Sequence, residues 1–339
     1  MPSKLKHRLL RLAKLLAGSA VVAFLLWQAT RGEQAQQLLH GEKNWWMFLA
    51  AAGCIFCAVV INFFRWWLLV HAAGLSMTIA EALRLGALGH AANFVGPGSV
   101  GGDLLKAVLF ARSRAGKRSA AVATVLVDRF LGLLTLLALA AVSAGYALAA
   151  GLLDEKPVMA GICRTVMAAA AMGWGVAALA LLPGPHARFI DHWLRRMPGA
   201  GRTLSELFVA VQRMHRHPAS LPGAMACSTV SHVLLVLSFV FVGWGLPIVP
   251  PGLAESFAAI PLAELAGAVP LFPGGLGATE GALEALYQAL GASRGAGLFV
   301  ALGQRLVNIS VGAVAMFYYL AHRRELAPAV AEAGELTDA

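Results

Sequence analysis

The chain has 339 residues, 59% of them hydrophobic and only 13% charged, with a mean hydropathy of +0.71. A water-soluble domain usually carries about a quarter charged residues, so a soluble globular protein is excluded, and apolar runs without period-two alternation exclude a porin-like barrel. The net charge of +10 falls between the apolar runs, which suits an anionic membrane leaflet better than nucleic acid.

Backbone groups in lipid are satisfied within their own segment, so the reading is all-α: a polytopic membrane protein. A full span takes about 20 apolar residues. Six stretches qualify: 10–30, 45–68, 119–143, 161–182, 221–246 and 296–320. The first is expected to stay attached, because Gln28-Ala29-Thr30-Arg31 is a poor cleavage site. Two more apolar stretches, 78–112 and 253–291, are interrupted by Gly and Pro. Segment 185–217 mixes Phe189, Trp193, Leu194, Met197, Leu204, Leu207, Phe208 and Met214 with six arginines. That pattern predicts interfacial amphipathic helices broken at Pro198-Gly199. Residues 1–325 are expected to form one transmembrane domain, with 326–339 a flexible tail.

Basic residues orient the spans. One set of segments holds Lys4, Lys6, Arg8, Arg11 and Lys14; Lys106, Arg112, Arg114, Lys117 and Arg118; the six arginines of 185–217; and Arg323 and Arg324. The intervening segments hold only Arg31, Lys43, Lys156 and Arg294. The alternation predicts both termini in the cytoplasm of a bacterial inner membrane. It closes only if 78–112 and 253–291 each enter and leave on one side, as re-entrant helix pairs.

The two broken stretches resemble each other. Pro97-Gly98-Ser99-Val100-Gly101-Gly102-Asp103 matches Pro273-Gly274-Gly275-Leu276-Gly277-Ala278-Thr279, followed by Glu280, at an offset of 176 residues. The same offset places Asp128-Arg129 on Gln304-Arg305, Gly132 on Asn308, and the start of span 45–68 on that of span 221–246. The predicted arrangement is therefore an inverted repeat, 45–143 and 221–320. Paired Gly/Pro-interrupted segments of this kind point to a transporter site near the midplane.

Glycine clusters let backbone N–H groups face a cavity, and helices expected to start near Gly102 and Ala278 add positive dipole ends. Such an arrangement suits an anionic headgroup; the plain alternative is that the glycines only permit close packing. Charges in spans are functional candidates: Asp128, Arg129, Arg305 with Asn308, and Glu264. Asp103 and Glu280 are either site residues or helix caps, and Arg65 and Arg84 read as snorkelling side chains near the inner boundary. Cys54 and Cys57 have the C-x-x-C spacing that can mark a redox or metal site, but no second Cys or His pair accompanies them, so with Cys163 and Cys227 they read as small buried residues and no metal or cofactor is expected. There is no nucleophile elbow, H-E-x-x-H or Walker loop.

At Asn93, Pro97, Gly101-Gly102-Asp103, Asp128-Arg129, Pro273-Gly274-Gly275-Leu276-Gly277 and Glu280, the chain resembles the lysylphosphatidylglycerol synthase transmembrane-region family, also called the flippase-like domain family. The resemblance covers about residues 10–325. It implies a membrane domain that moves aminoacylated phosphatidylglycerol between leaflets, the soluble aminoacyl-transfer domain being absent from this chain. The expected function is thus translocation of an anionic or amino-modified phospholipid or envelope lipid. Two other readings stay open: a membrane-embedded transferase acting on a lipid carrier, with Asp103 or Glu280 as base, and a non-catalytic partner of a lipid-modifying enzyme. The first reading places backbone donors at Gly98, Gly101, Gly102, Gly274, Gly275 and Gly277, and phosphate contacts at Arg129 and Arg305. Asp128, Glu264 and Glu280 would bind a cationic group or orient the arginines.

Overall fold

The computed structural model describes residues 40–95, 101–114, 117–181, 185–197, 220–268 and 276–321, with isolated residues in 20–38 and 201–212. Most of the expected first span, the break at Pro198-Gly199 and the 326–339 tail lie outside the described residues. Among those described, the structure is helical with no strand. Ten helices follow in order: α1 Trp45–Ala72, α2 Ile79–Val95, α3 Gly101–Arg112, α4 Arg118–Ala149, α5 Pro157–Leu181, α6 Pro185–Arg196, α7 Ser220–Gly245, α8 Leu253–Ala268, α9 Ala278–Ala289 and α10 Ala296–Ala321.

Five of them, α1, α4, α5, α7 and α10, are long and apolar enough to cross a membrane by length and composition. They coincide with the last five expected spans. Their outward faces carry large apolar side chains, including Val176, Leu306, Val314 and Phe317, each more than 60% exposed. In water such a surface would aggregate; against acyl chains it needs no partner.

Helices α1 and α7 open the two halves, and they pack along each other antiparallel. The Asn44 amide donates to the Gly245 carbonyl at 3.0 Å. The Ser238 hydroxyl donates to the Ala51 carbonyl at 3.0 Å and the Ser231 hydroxyl to the Ala58 carbonyl at 3.3 Å. The contacts advance seven residues along α1 as they retreat seven along α7, two helical turns per step. Small side chains on this seam let the backbones approach closely enough for serine hydroxyls to bond across it. Since residues offset by 176 run in opposite directions, the repeat is inverted.

The remaining packing follows the same pseudo-twofold relation. In the first half α2 packs on α3, and α3 on α4. In the second α8 packs on α9, and α9 on α10. Across the halves, α2 leans on α10 while α8 leans on α4. Helix α5 lies outside the relation, packed on α4.

Helices α2 and α3 have 17 and 12 residues, about 25 and 18 Å at 1.5 Å per residue, short of a hydrocarbon core about 30 Å thick. They form a hairpin whose ends meet. Arg114, just past α3, donates to the Ser76 carbonyl at 2.6 Å and pairs with Glu81 of α2 at 2.8 Å. In the second hairpin, Ser256 near the start of α8 lies 3.5 Å from the Tyr287 hydroxyl near the end of α9. Pro261 inside α8 has no N–H to give the Phe257 carbonyl; the Ser143 hydroxyl of α4 bonds that carbonyl instead, at 2.7 Å. The antiparallel α1 and α7 deliver the two hairpins from opposite ends of the bundle.

The amphipathic segment begins with α6, whose Phe189 and Trp193, one turn apart, are exposed. The Ser205 hydroxyl donates to Asp191 and, with help from Arg195 at 3.0 Å, holds that carboxyl below the usual aspartate range. This bond ties α6 to the residues that follow it.

Candidate functional site

Each half places an acid in the first turn of its second hairpin helix, within reach of an arginine on the next long helix. In the first half Asp103 of α3 pairs with Arg129 of α4. In the second, Glu280 of α9 pairs with Arg305 of α10 at 2.6 Å. Glu280 also accepts from the Gly277 amide at 2.8 Å. Gly277 has φ +83°, a left-handed conformation that side chains disfavour. Glu280 is thus both a cap and the group that orients Arg305. Glu264 of α8 lies within electrostatic reach of Arg305 and Glu280. Asn308, one turn on from Arg305, is half-buried.

The first half carries a second layer of charge. The Asp128 carboxylate accepts from the Arg65 guanidinium at 2.8 Å and lies 3.4 Å from the Lys106 ammonium. Arg65 also donates to the Ser228 hydroxyl of α7 at 3.0 Å. Lys106 lies 3.7 Å from Asp103 and 4.5 Å above the Trp66 ring, a cation–π contact. Arg65 is therefore no snorkelling side chain. It is 7% exposed and joins α1, α4 and α7, and Gly132 leaves the space its guanidinium occupies, since a Cβ there would stand 3.2 Å from Nη1.

These groups line a cavity of about 270 Å³ between the first hairpin and α1, α4 and α7. Charged walls come from Arg65, Lys106, Arg129, Asp103 and Asp128. Asn62, His90, Asn93 and His232 add polar atoms; Phe63, Leu133 and Leu136 are among the apolar ones. His232 contacts the Gly132 carbonyl at 3.0 Å. With the imidazoles neutral, three cations face two carboxylates, a net charge of +1.

The hairpin beside this cavity is held tightly. Asn93 accepts from the Gly102 amide at 3.0 Å. A Cβ on Gly102 would overlap the Gly89 carbonyl, and one on Gly89 would stand 2.9 Å from the Gly102 carbonyl. Glycine here is demanded by helix contact. Helices α3 and α9 start at Gly101 and Ala278, beside the expected positions. Pro97, Gly98, Pro273, Gly274 and Gly275 lie outside the described residues.

Of the sequence candidates, Asn93, Asp103, Asp128 and Arg129 line this cavity together. Arg305, Glu264, Glu280, Gly277 and Asn308 lie in the second half and are not in its lining. Arg129 and Arg305 each pair with an acid of their own half. Sequence reasoning missed Asn62, Lys106 and His232 as cavity residues. Lys106 had been counted only as a loop charge, although it lies one turn after Asp103. Asn62 and His232 were visible as polar residues inside apolar spans. Among the described residues no group of three His, Cys, Asp or Glu side chains can hold a metal.

The offset of 176 exposes an asymmetry. Asp128 corresponds to Gln304, Arg65 to Phe241, Lys106 to Ala282 and Asn62 to Ser238. In the second half the Ser238 hydroxyl, shared with the Ala51 carbonyl, lies 2.8 Å from the Gln304 Oε1. The outer acid–arginine pair is duplicated, while the inner charged layer belongs to the first half alone.

No curated protein and no solved structure matches the chain. The model of the family described as the lysylphosphatidylglycerol synthase TM region matches residues 12–315, nearly the whole chain. With its helical bundle, long apolar spans and paired broken helices, this multi-pass membrane protein belongs to that family.

Proposed function

We propose that the protein is a lipid translocase, flippase- or scramblase-like, that handles an anionic or amino-modified phospholipid or envelope lipid. The observation that supports this best is the first-half cavity. Charges inside a membrane bundle are costly, yet here five of them, three of them buried, line open space beside the first hairpin. A headgroup entering that space would meet cations and backbone groups in place of water, while its acyl chains stay on the apolar exterior. The duplicated hairpin, entering from the opposite end, would supply the second gate of an alternating-access cycle.

The basic-residue alternation supports a bacterial inner-membrane location with cytoplasmic termini, and with it a cytoplasmic opening for the first hairpin. A separate lipid-modifying enzyme would be a natural partner, supplying the lipid. A transferase reading finds less support. Asp103 is engaged by Arg129, and Glu280 by Gly277 and Arg305, so neither stands free as a base.

The test is a vesicle assay that reads fluorescent-lipid accessibility in each leaflet. Lysine keeps the charge of Arg129 or Arg305 but not the fork that grips a phosphate with two parallel bonds. Arg129→Lys and Arg305→Lys are expected to slow translocation in correctly inserted protein. Full activity in both variants would remove the arginines from the mechanism. Absence of movement of every lipid class tried with the unmutated chain would remove the translocase reading.

A further inference from the structure

Arg164 is the one charged residue of α5, and it lies seven residues, about 10 Å, from the start of that helix. Its side chain is exposed on the outside of the bundle, and among the described residues no hydrogen bond or ion pair reaches it. An arginine that faces acyl chains is costly, and such a residue is a functional candidate. Helix α5 itself stands outside the inverted repeat and packs on α4.

The face around Arg164 has the shape that another helix needs. Gly161, Arg164, Ala168, Ala171, Gly175 and Ala178 recur at steps of three and four, which draws one stripe along α5. The last four are exposed, and a Cβ on Gly161 or Gly175 would meet no atom within 4 Å. The side toward α4 is filled: Cys163 and Ala170 are buried, and a Cβ on Gly173 would stand 3.4 Å from Leu134. The remaining side is bulky, with Ile162, Met172 and Val176 at 50%, 69% and 61% exposed. A groove of small residues thus runs between the α4 seam and a bulky lipid-facing side, with one cation in it. Steps of three and four suit left-handed helix packing at about +20°, and small side chains let the backbones approach.

We propose that this groove docks a transmembrane helix of a partner protein, one that carries a carboxylate at the depth of Arg164. Charge complementarity chooses this occupant. A second copy docked through the same face would set Arg164 against Arg164 at one depth, and like charges repel. The chain's own first apolar stretch, 10–30, holds no Asp or Glu. Acyl chains would fill the groove and leave the guanidinium unpaired. A carboxylate accepts two parallel bonds from that guanidinium and takes a bare charge out of the hydrocarbon.

The test is energy transfer in phosphatidylcholine vesicles between the donor-labelled full chain and acceptor-labelled synthetic helices. The probes are leucine-rich membrane helices with an alanine stripe at steps of three and four, bearing Glu, Gln or Lys at the depth of Arg164. The Glu helix is expected to associate saturably and about tenfold more tightly than the Gln helix, the usual gain of a charge-assisted bond. Arg164→Gln should erase that difference. Arg164→Glu should transfer the preference to the Lys helix, which also shows that the variant is folded and inserted. Ala171→Leu fills the groove and should weaken every probe. Equal association of the Glu and Gln helices overturns the proposal and leaves Arg164 reaching for lipid headgroups. A preference for Glu that survives Arg164→Gln overturns it too. Self-association in probe-free vesicles that Ala171→Leu abolishes would put a second copy in the groove and overturn the choice of partner.

Discussion

Arg65 and Asp128 lie 63 residues apart in sequence, yet their side chains meet at 2.8 Å with each about 8% exposed. The bond fastens the first helix of the first half to its last. Through Ser228 it reaches the opening helix of the second half as well. Removing one partner strands a buried charge. Arg65→Leu and Asp128→Leu should each destabilise the protein by about 3–5 kcal/mol, and the double Leu variant should lose less than the sum of the two. Denaturant unfolding in mixed micelles measures this; additive losses would show that the pair does not act as a unit.

The two acid–arginine pairs are expected to differ in strength. Glu280 is 1% exposed in its side chain and Asp103 is 29%. Glu280→Gln loses an ionic partner for Arg305 and weakens the bond to the Gly277 amide, so about 3–5 kcal/mol is expected. Asp103→Asn, screened by solvent, should cost only about 1 kcal/mol. Equal losses in the same unfolding assay would contradict the burial argument.

Glycines divide into those that touch a neighbouring helix and those that touch nothing. A methyl on Gly102 would overlap the Gly89 carbonyl, whereas one on Gly175 would meet no atom within 4 Å. Gly102→Ala should therefore destabilise by about 1–3 kcal/mol or more through overpacking. Gly175→Ala should leave stability unchanged or raise it slightly, as alanine favours the helix. Thermal melts of the two purified variants compare them directly.

Orientation can be read by cysteine labelling in a background lacking Cys54, Cys57, Cys163 and Cys227. A cysteine at Glu155, between α4 and α5, should react with an impermeant reagent in intact cells. One at His192 in α6 should react only after permeabilisation. The reverse pattern would invert the topology derived from the basic residues.

Helix class, the five long apolar spans among the described residues and the antiparallel relation of the two halves were legible in the sequence. Hydropathy over about 20 residues, Gly/Pro punctuation and loop charge are local properties, and a repeat is a comparison of the chain with itself. The candidate site was legible in part. Asp103, Asp128 and Arg129 stood out because a charge in an apolar run is conspicuous without knowledge of its surroundings.

Which charges meet was decided only by the tertiary structure. Arg65 lies near the end of a span, where its sequence context reads as snorkelling; Gly132, on another helix, leaves the space that lets it turn inward. Lys106 looked like one more basic residue on a cytoplasmic loop until α3 packed it against Asp128 and Trp66. The offset that aligns Arg129 with Arg305 is a relation between stretches of sequence; that each arginine meets an acid of its own half is a relation of packing. Span formation follows from the transfer of each segment out of water, which sequence alone carries. Partnership depends on distances of a few ångströms between side chains on different helices, which only the packed bundle defines.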